Sequence, residues 1–261
     1  MRWFQWERIG EIAWPTSTVV TALLLWEVAV RGFRVPEFVL PPPSVILIEL
    51  WVQQGRILGN AITTLWAVLA GFGVAVAVGA PLAFLTVYSG PFEKAIYPLL
   101  VFSQTIPKIA IIPVFVVWFG FGILPKVLIA FLICFFPVVI DTAIGLRSVQ
   151  PEAVDLIRSM GGSRMDVFTR VRIPNALPYF FGGLKVAITL ALVGAVVGEF
   201  VGSTSGLGFM IVQASGLLNN RLVFAGILVL SFIGIVLFYA IDVLERLLLG
   251  WHVSRRAEYT P

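Results

Sequence analysis

Apolar residues run through this chain in long blocks, with short polar stretches between them. Six blocks stand out, at about 14–31, 61–88, 94–119, 124–146, 177–201 and 224–249. Each reaches the roughly 17–25 residues that a helix needs to cross a bilayer core of about 30 Å. Strict apolar–polar alternation, the mark of a barrel strand, is missing, so the blocks predict helices. Several exceed the minimum length and are expected to tilt. The first block lacks a small-residue cleavage site and carries Glu27 and Arg31, so it reads as an uncleaved helix and not as a signal peptide.

The polar positions add organisation. Pro41-Pro42-Pro43 predicts an extended connector leading into a short amphipathic piece, Ser44–Gln53. Trp14, Trp118 and Trp251 fall near block ends, where interfacial anchors belong. Gly71, Gly73, Gly79, Gly182, Gly183, Gly194 and Gly198 predict close helix packing. No repeat or low-complexity tract interrupts the chain, so residues 1–261 are read as one transmembrane domain.

Composition excludes other classes. The chain is 59% hydrophobic and 12% charged, with a mean hydropathy of +0.99. Soluble domains carry about twice that charge, so this chain has too little polar surface for a water-soluble body of its size. The hydrophobicity excludes disorder. One cysteine, Cys134, excludes a disulfide scaffold. With one histidine, His252, a His-based metal site is excluded. The net charge of +4 is modest. Its basic residues sit between apolar blocks and form no stripe with aromatics, so they read as topological charge and not as a nucleic-acid surface.

Those charges set an orientation. With the N-terminus inside, the inner segments carry Arg2, Arg8, Lys94, Arg147, Arg158, Arg164, Arg170, Arg172, Arg246, Arg255 and Arg256. The outer ones carry Arg31, Arg34, Arg56, Lys126 and Arg221. This bias places both termini and the stretch 147–174 in the cytoplasm.

That cytoplasmic stretch is polar but patterned. Pro151 suits a first helical turn, with Glu152 and Asp155 toward the positive end of the dipole. The helix is expected to run to about Met160, where Gly161-Gly162 supplies a left-handed cap. Ser163 with Asp166 resembles a capping box for a second helix that presents Val167, Phe168 and Val171 and ends at Pro174. The result is two short helices with a glycine elbow. On residues alone it is either a solvated hairpin under the membrane or a docking surface for a cytosolic partner.

Charges at membrane depth are costly and need a partner or a purpose. Glu27–Arg31 and Asp242–Arg246 are spaced as local helix pairs. Lys185 stands about 16 Å of helix beyond Pro174, near mid-bilayer, where Asp141 is placed to partner it. Glu199 is placed to partner Lys126. Lys108 follows Pro107 in a block also broken by Pro113, and prolines free carbonyls where helices line a cavity. Lys108, Lys185 and Glu199 are therefore pathway candidates, with an anionic substrate favoured by the two lysines; interhelical pairing is the competing role.

Catalytic motifs are absent. No lysine follows a glycine, so there is no phosphate-binding loop for ATP, and neither G-x-S-x-G nor H-E-x-x-H occurs. Only carboxylate-based catalysis is left open.

The elbow resembles the coupling motif of ABC-importer permeases, E-A-A-x-x-x-G-x(9)-I-x-L-P. This chain reads Asp155-Leu156-Ile157, three residues, Gly161, nine residues, Val171-Arg172-Ile173-Pro174. Asp replaces Glu, Leu-Ile replaces Ala-Ala, and Val and Ile replace Ile and Leu. Four further segments, in order, resemble the nitrate/sulfonate/taurine importer group. They are Leu40-Pro41-Pro42-Pro43-Ser44; Pro107, Ala110 and Pro113; Trp118-Phe119-Gly120-Phe121-Gly122; and Gly198-Glu199 with Thr204-Ser205-Gly206-Leu207-Gly208.

The resemblance implies an all-α, type I importer permease of about six transmembrane helices in a bacterial-type inner membrane. It also implies a second permease chain, by default an identical copy, and two separate ATP-binding subunits that take up the coupling loops at Asp155, Leu156, Ile157, Gly161, Val171, Ile173 and Pro174. An extracytoplasmic binding protein would deliver a small solute such as a sulfonate, nitrate, taurine or an aromatic or heterocyclic compound. ATP and Mg2+ would sit on the partner ATPase, with no cofactor and no catalysis on this chain. The alternative, a self-sufficient secondary transporter or channel, calls for inverted repeats or a dense buried charge relay, and the sequence has neither.

Overall fold

A computed structural model describes residues 3–250, so Trp251, His252 and both charged termini lie outside the described residues. The described residues form helices and no strands. In chain order these are α1 (Trp3–Gly32), α2 (Pro43–Val52), α3 (Gln54–Tyr88), α4 (Gly90–Thr105), α5 (Ile112–Phe119), α6 (Ile123–Arg147), α7 (Pro151–Ser159), α8 (Arg164–Val167), α9 (Ile173–Gly202), α10 (Leu207–Gly216) and α11 (Asn220–Leu248). Four helical runs are long and apolar enough to cross a membrane: α3, α6, the continuous path Arg164–Gly202, and α11. A fifth is the bent pair of α4 and Lys108–Phe119. α1 covers the predicted first span.

The third predicted span is not one continuous helix. α4 ends at Thr105, Ile106 and Pro107 are extended, a 3-10 turn covers Lys108–Ile111, and the two arms meet at 82°. Pro107 drives the residue before it out of the helical region, and neither Pro107 nor Pro113 can donate a helical hydrogen bond. Pro113 instead sits in the first turn of α5, which Gly120 closes at φ +74°.

By packing, the described residues fall into two units. The first takes residues 3–59 and 210–229. Within it, Glu27 accepts hydrogen bonds from Arg31 Nε (2.6 Å), the Ser44 amide (3.0 Å) and Ser44 Oγ (2.8 Å), so the predicted local pair also clamps the start of α2 onto α1. Pro42 is extended, as the proline run predicts. α2 itself departs from expectation: it is apolar nearly all round, with Glu49 as its one charge. Asn220 Nδ2 donates to the Phe38 carbonyl, and Arg221 pairs with Glu37.

The second unit takes residues 60–209 and 230–250. Its core joins Ala67, Val68 and Ala75 of α3, Ala130, Cys134 and Val138 of α6, and Ala187, Ala191 and Ala195 of α9. Small residues let these backbones approach, which is how helices associate in lipid. A Cβ on Gly71 would stand 2.6 Å from the Cβ of Ala130, and one on Gly194 2.7 Å from its Cα, so both helices press on the same point of α6. Gly73 and Gly182, predicted to pack in the same way, face open space instead.

Candidate functional site

The loop between α6 and α9 folds as the elbow its residues predict. Pro151 lies in the first turn of α7, whose first-turn acid is Glu152. At the other end Gly161 takes φ +82°, its amide donating to Arg158 O (2.9 Å) and the Gly162 amide to Ile157 O (2.9 Å). That bond pair is the Schellman cap, which needs a residue free to turn left-handed. Gly162 is required for a different reason: a Cβ there would stand 2.5 Å from Ile157 Cγ2. The capping box at α8 is complete, with Ser163 Oγ accepting from the Asp166 amide (3.2 Å) and Asp166 Oδ2 accepting from the Ser163 amide (2.9 Å).

Pro174 does not end the second helix. The chain runs on through a π-helical turn, Phe168–Arg172, straight into α9, with Pro174 in the first turn of α9. The widened turn resolves the conflict that a proline creates inside a helix, where its ring meets the carbonyl four residues back. Elbow and span are thus one continuous helical path.

The elbow is anchored by aromatic packing and at its two roots. Val167 and Phe168 are buried, and Phe168 packs edge-on to Phe84 and Tyr88 at the end of α3. Asn175 Nδ2 donates to Gly145 O (3.0 Å) and to Ser148 Oγ (2.9 Å), joining the end of α6 to the start of α9. A Cβ on Gly145 would stand 2.9 Å from the Cα of Ala176, so the two helices touch at this root. Arg147 pairs with Glu93 at 2.8 Å. Asp155, Leu156, Gly161 and Pro174 are exposed, while Ile157, Val171 and Ile173 are half-buried against the rest of the loop. The exposed side of a rigid elbow is therefore Asp155, Leu156 and Met160, with two large apolar side chains at 61% and 76% exposure. Asn175 and Tyr88, which complete the anchoring, carry no sequence signal of it, because their partners come from distant helices.

The membrane-depth candidates separate from one another. Glu199 is fully buried and held on every side. Thr64 Oγ1 donates to it (2.9 Å), the Gly208 amide donates to it (2.8 Å), and Lys126 Nζ lies 3.7 Å away. Thr64 in turn accepts from the Leu207 amide (2.8 Å), and Lys126 donates to Ser205 O (2.6 Å). Gly206, at φ +109°, lies so close that a Cβ would overlap the Glu199 carboxylate. The predicted Lys126–Glu199 partnership is present. Lys185 pairs with Asp242 and with Glu245 (2.5 Å), not with Asp141, and Asp242 also binds Arg246 (2.8 Å). Asp141 lies beside Gly183 with no hydrogen bond or ion pair among the described residues. Lys108 Nζ sits 4.8 Å from the centre of the Phe136 ring, without a carboxylate partner among the described residues. The structure therefore brings no two of the three pathway candidates together.

A multi-pass helical membrane protein presenting one rigid, capped elbow between two spans is the class that this geometry defines. The family model for the inner membrane component of binding-protein-dependent transport systems matches residues 71–250, and the chain belongs to that family. It is 35% identical over 237 residues to a formylaminopyrimidine transport permease of Halalkalibacterium halodurans, covering 91% of this chain and 95% of that one. It is also 35% identical over 253 residues to a riboflavin transport system permease of Chloroflexus aurantiacus, covering 96% and 93%. A taurine transport system permease of Escherichia coli is 33% identical over 256 residues, covering 92% of each. Among solved structures, the inward-facing MetNI methionine ABC transporter matches at a TM-score of 0.61 and 16% identity, covering 76% of this chain and 96% of that one, which shows the shared fold. This chain is accordingly a permease subunit of a binding-protein-dependent ABC importer.

Proposed function

We propose that the elbow Asp155–Pro174 is the seat of a separate ATPase subunit, and that its motion under ATP binding switches the solute pathway. The observation that carries this reading is the Schellman-capped elbow at the family spacing, fused through a π turn to a span. A lever must be stiff between the point where force enters and the helix that moves, and this one is capped, root-pinned and continuous. In the full assembly two copies of this chain would form the pathway by two-fold symmetry, each elbow receiving one ATPase, with a solute-binding protein on the opposite side. Both termini and the elbow would face the cytoplasm. ATP and Mg2+ would belong to the ATPase, and this chain would bind no cofactor and catalyse nothing.

For the solute we favour a small neutral heterocycle over an anion. Lys185 and Lys126 already have carboxylate partners within the chain, so neither is free to attract an anion. Of the three candidates, Lys108 alone is kept as a pathway residue. The formylaminopyrimidine and riboflavin relatives support the same choice. Thermal-shift screening of the accompanying binding protein tests it, and stabilisation by taurine or alkylsulfonates but not by pyrimidines would reverse it.

The coupling reading is tested in proteoliposomes holding the permease, its ATPase and loaded binding protein. Gly161→Val is expected to keep ATP hydrolysis but to lower solute moved per ATP by about tenfold, because a left-handed position is closed to valine. Unchanged coupling in that variant sinks the assignment.

A further inference from the structure

The basic residues of the elbow fall into two groups. Arg147 is paired with Glu93 and Arg170 with Asp166. Arg158, Arg164 and Arg172 have guanidinium groups without a hydrogen bond or ion pair among the described residues. All three line one small cavity of about 80 Å3, together with Tyr88, Val87 and Phe168. Three like charges around one cavity repel each other until an anion sits among them. Guanidinium groups present fixed forks of N–H donors that match phosphate oxygens. The volume suits a single oxyanion, since whole small-molecule sites take about 300–1,000 Å3.

The location selects the source of that oxyanion. Tyr88 closes the apolar run of α3, and Phe168 precedes the apolar part of the Arg164–Gly202 path. The cavity therefore lies where two spans leave the hydrocarbon, at the depth of lipid head groups. Basic pockets between helices at a cytoplasmic interface take acidic head groups. We propose that Arg158, Arg164 and Arg172 form a phosphate site that holds the head group of an anionic phospholipid. The arginines come from α7, α8 and the π turn, so an occupied site ties the elbow to the membrane surface. This assignment does not depend on the elbow docking an ATPase.

The test uses the full-length purified chain and native mass spectrometry with dioleoyl-phosphatidylglycerol or dioleoyl-phosphatidylcholine. The wild type and the control Arg170→Gln are expected to prefer phosphatidylglycerol by about tenfold or more. The triple variant Arg158→Gln, Arg164→Gln, Arg172→Gln is expected to lose that preference. A melting temperature near the wild type shows that the triple variant is folded; if it is not, Arg172→Gln alone serves, with a partial loss expected. An unchanged preference in the folded variant overturns the proposal. Stabilisation of the wild type by inorganic phosphate, without any phosphatidylglycerol preference, assigns the pocket to a soluble oxyanion and also overturns it. So does a variant that keeps its lipid preference but no longer co-purifies with the ATPase, since the arginines would then serve the protein partner.

Discussion

In the elbow between α6 and α9 the backbone does the holding: a left-handed Gly161, a capping box at Ser163 and a π turn fix the path, and most charged residues stay exposed to solvent. Around Glu199 the arrangement is reversed. There, side-chain charge and the first two amides of α10 fix where α3, α6 and α9 meet, and the ions are out of reach of solvent. A charge can be lost from the elbow at small cost to the fold, whereas a backbone permission cannot be lost without altering how force passes through it. In the interior, losing a charge strands its partner.

The contrast breaks most visibly at Glu199. Glu199→Ala leaves the fully buried Lys126 with only Ser205, and removing one member of a buried pair costs about 3–5 kcal/mol. A large fall in thermal stability in detergent is expected. Replacing both ions, as Lys126→Met with Glu199→Leu, is expected to recover most of it, because a well-packed apolar pair can match a buried ion pair. Thermal stability equal to that of Glu199→Ala would show that the hydrogen bonds to Thr64 and Gly208 matter more than the charges. Gly161→Val comes next, at about 1–2 kcal/mol for a side chain forced left-handed, seen as local hydrogen exchange in α7 with the spans unaffected. Ser163→Ala removes a cap worth about 1 kcal/mol, and should loosen α8 in the same measurement. Smallest is Arg170→Ala, an exposed pair that should leave the melting temperature unchanged.

What could be read from the sequence follows the same division. The spans and the elbow are local: run length, a proline at a helix start, paired glycines and a serine three residues before an aspartate all act within a few residues. They place four of the six blocks as helices long and apolar enough to span, a fifth as a bent pair, and both caps. Where two local signals conflict, the reading failed. Pro174 is expected to stop a helix, but a widened turn at Phe168–Arg172 absorbs it and the helical path continues. Pro107 broke a span whose apolar length alone predicted a continuous helix. Partner choice at depth was legible in one case of two. Lys126 and Glu199 meet as placed, whereas Lys185 turns to Asp242 and Glu245, because the rotation of α11 against α9 decides this and depth does not. Asn175, which joins the two roots of the elbow, carries no signal within its own segment.

The Glu199 cluster also bears on how the chain is made. Thr64, Lys126, Glu199 and Gly208 leave the ribosome far apart in time, and Lys126 is made before the carboxylate that will pair with it. Lys126 lies in the first turn of α6, so placing it beside the hydrocarbon costs less than the roughly 2.5–3.5 kcal/mol of a lysine at a helix centre. Only when the segment bearing Glu199 and the loop after it have arrived does that debt close. A chain halted before that point holds Lys126 without the carboxylate that it faces in the finished fold, so the cluster closes only when insertion is nearly complete.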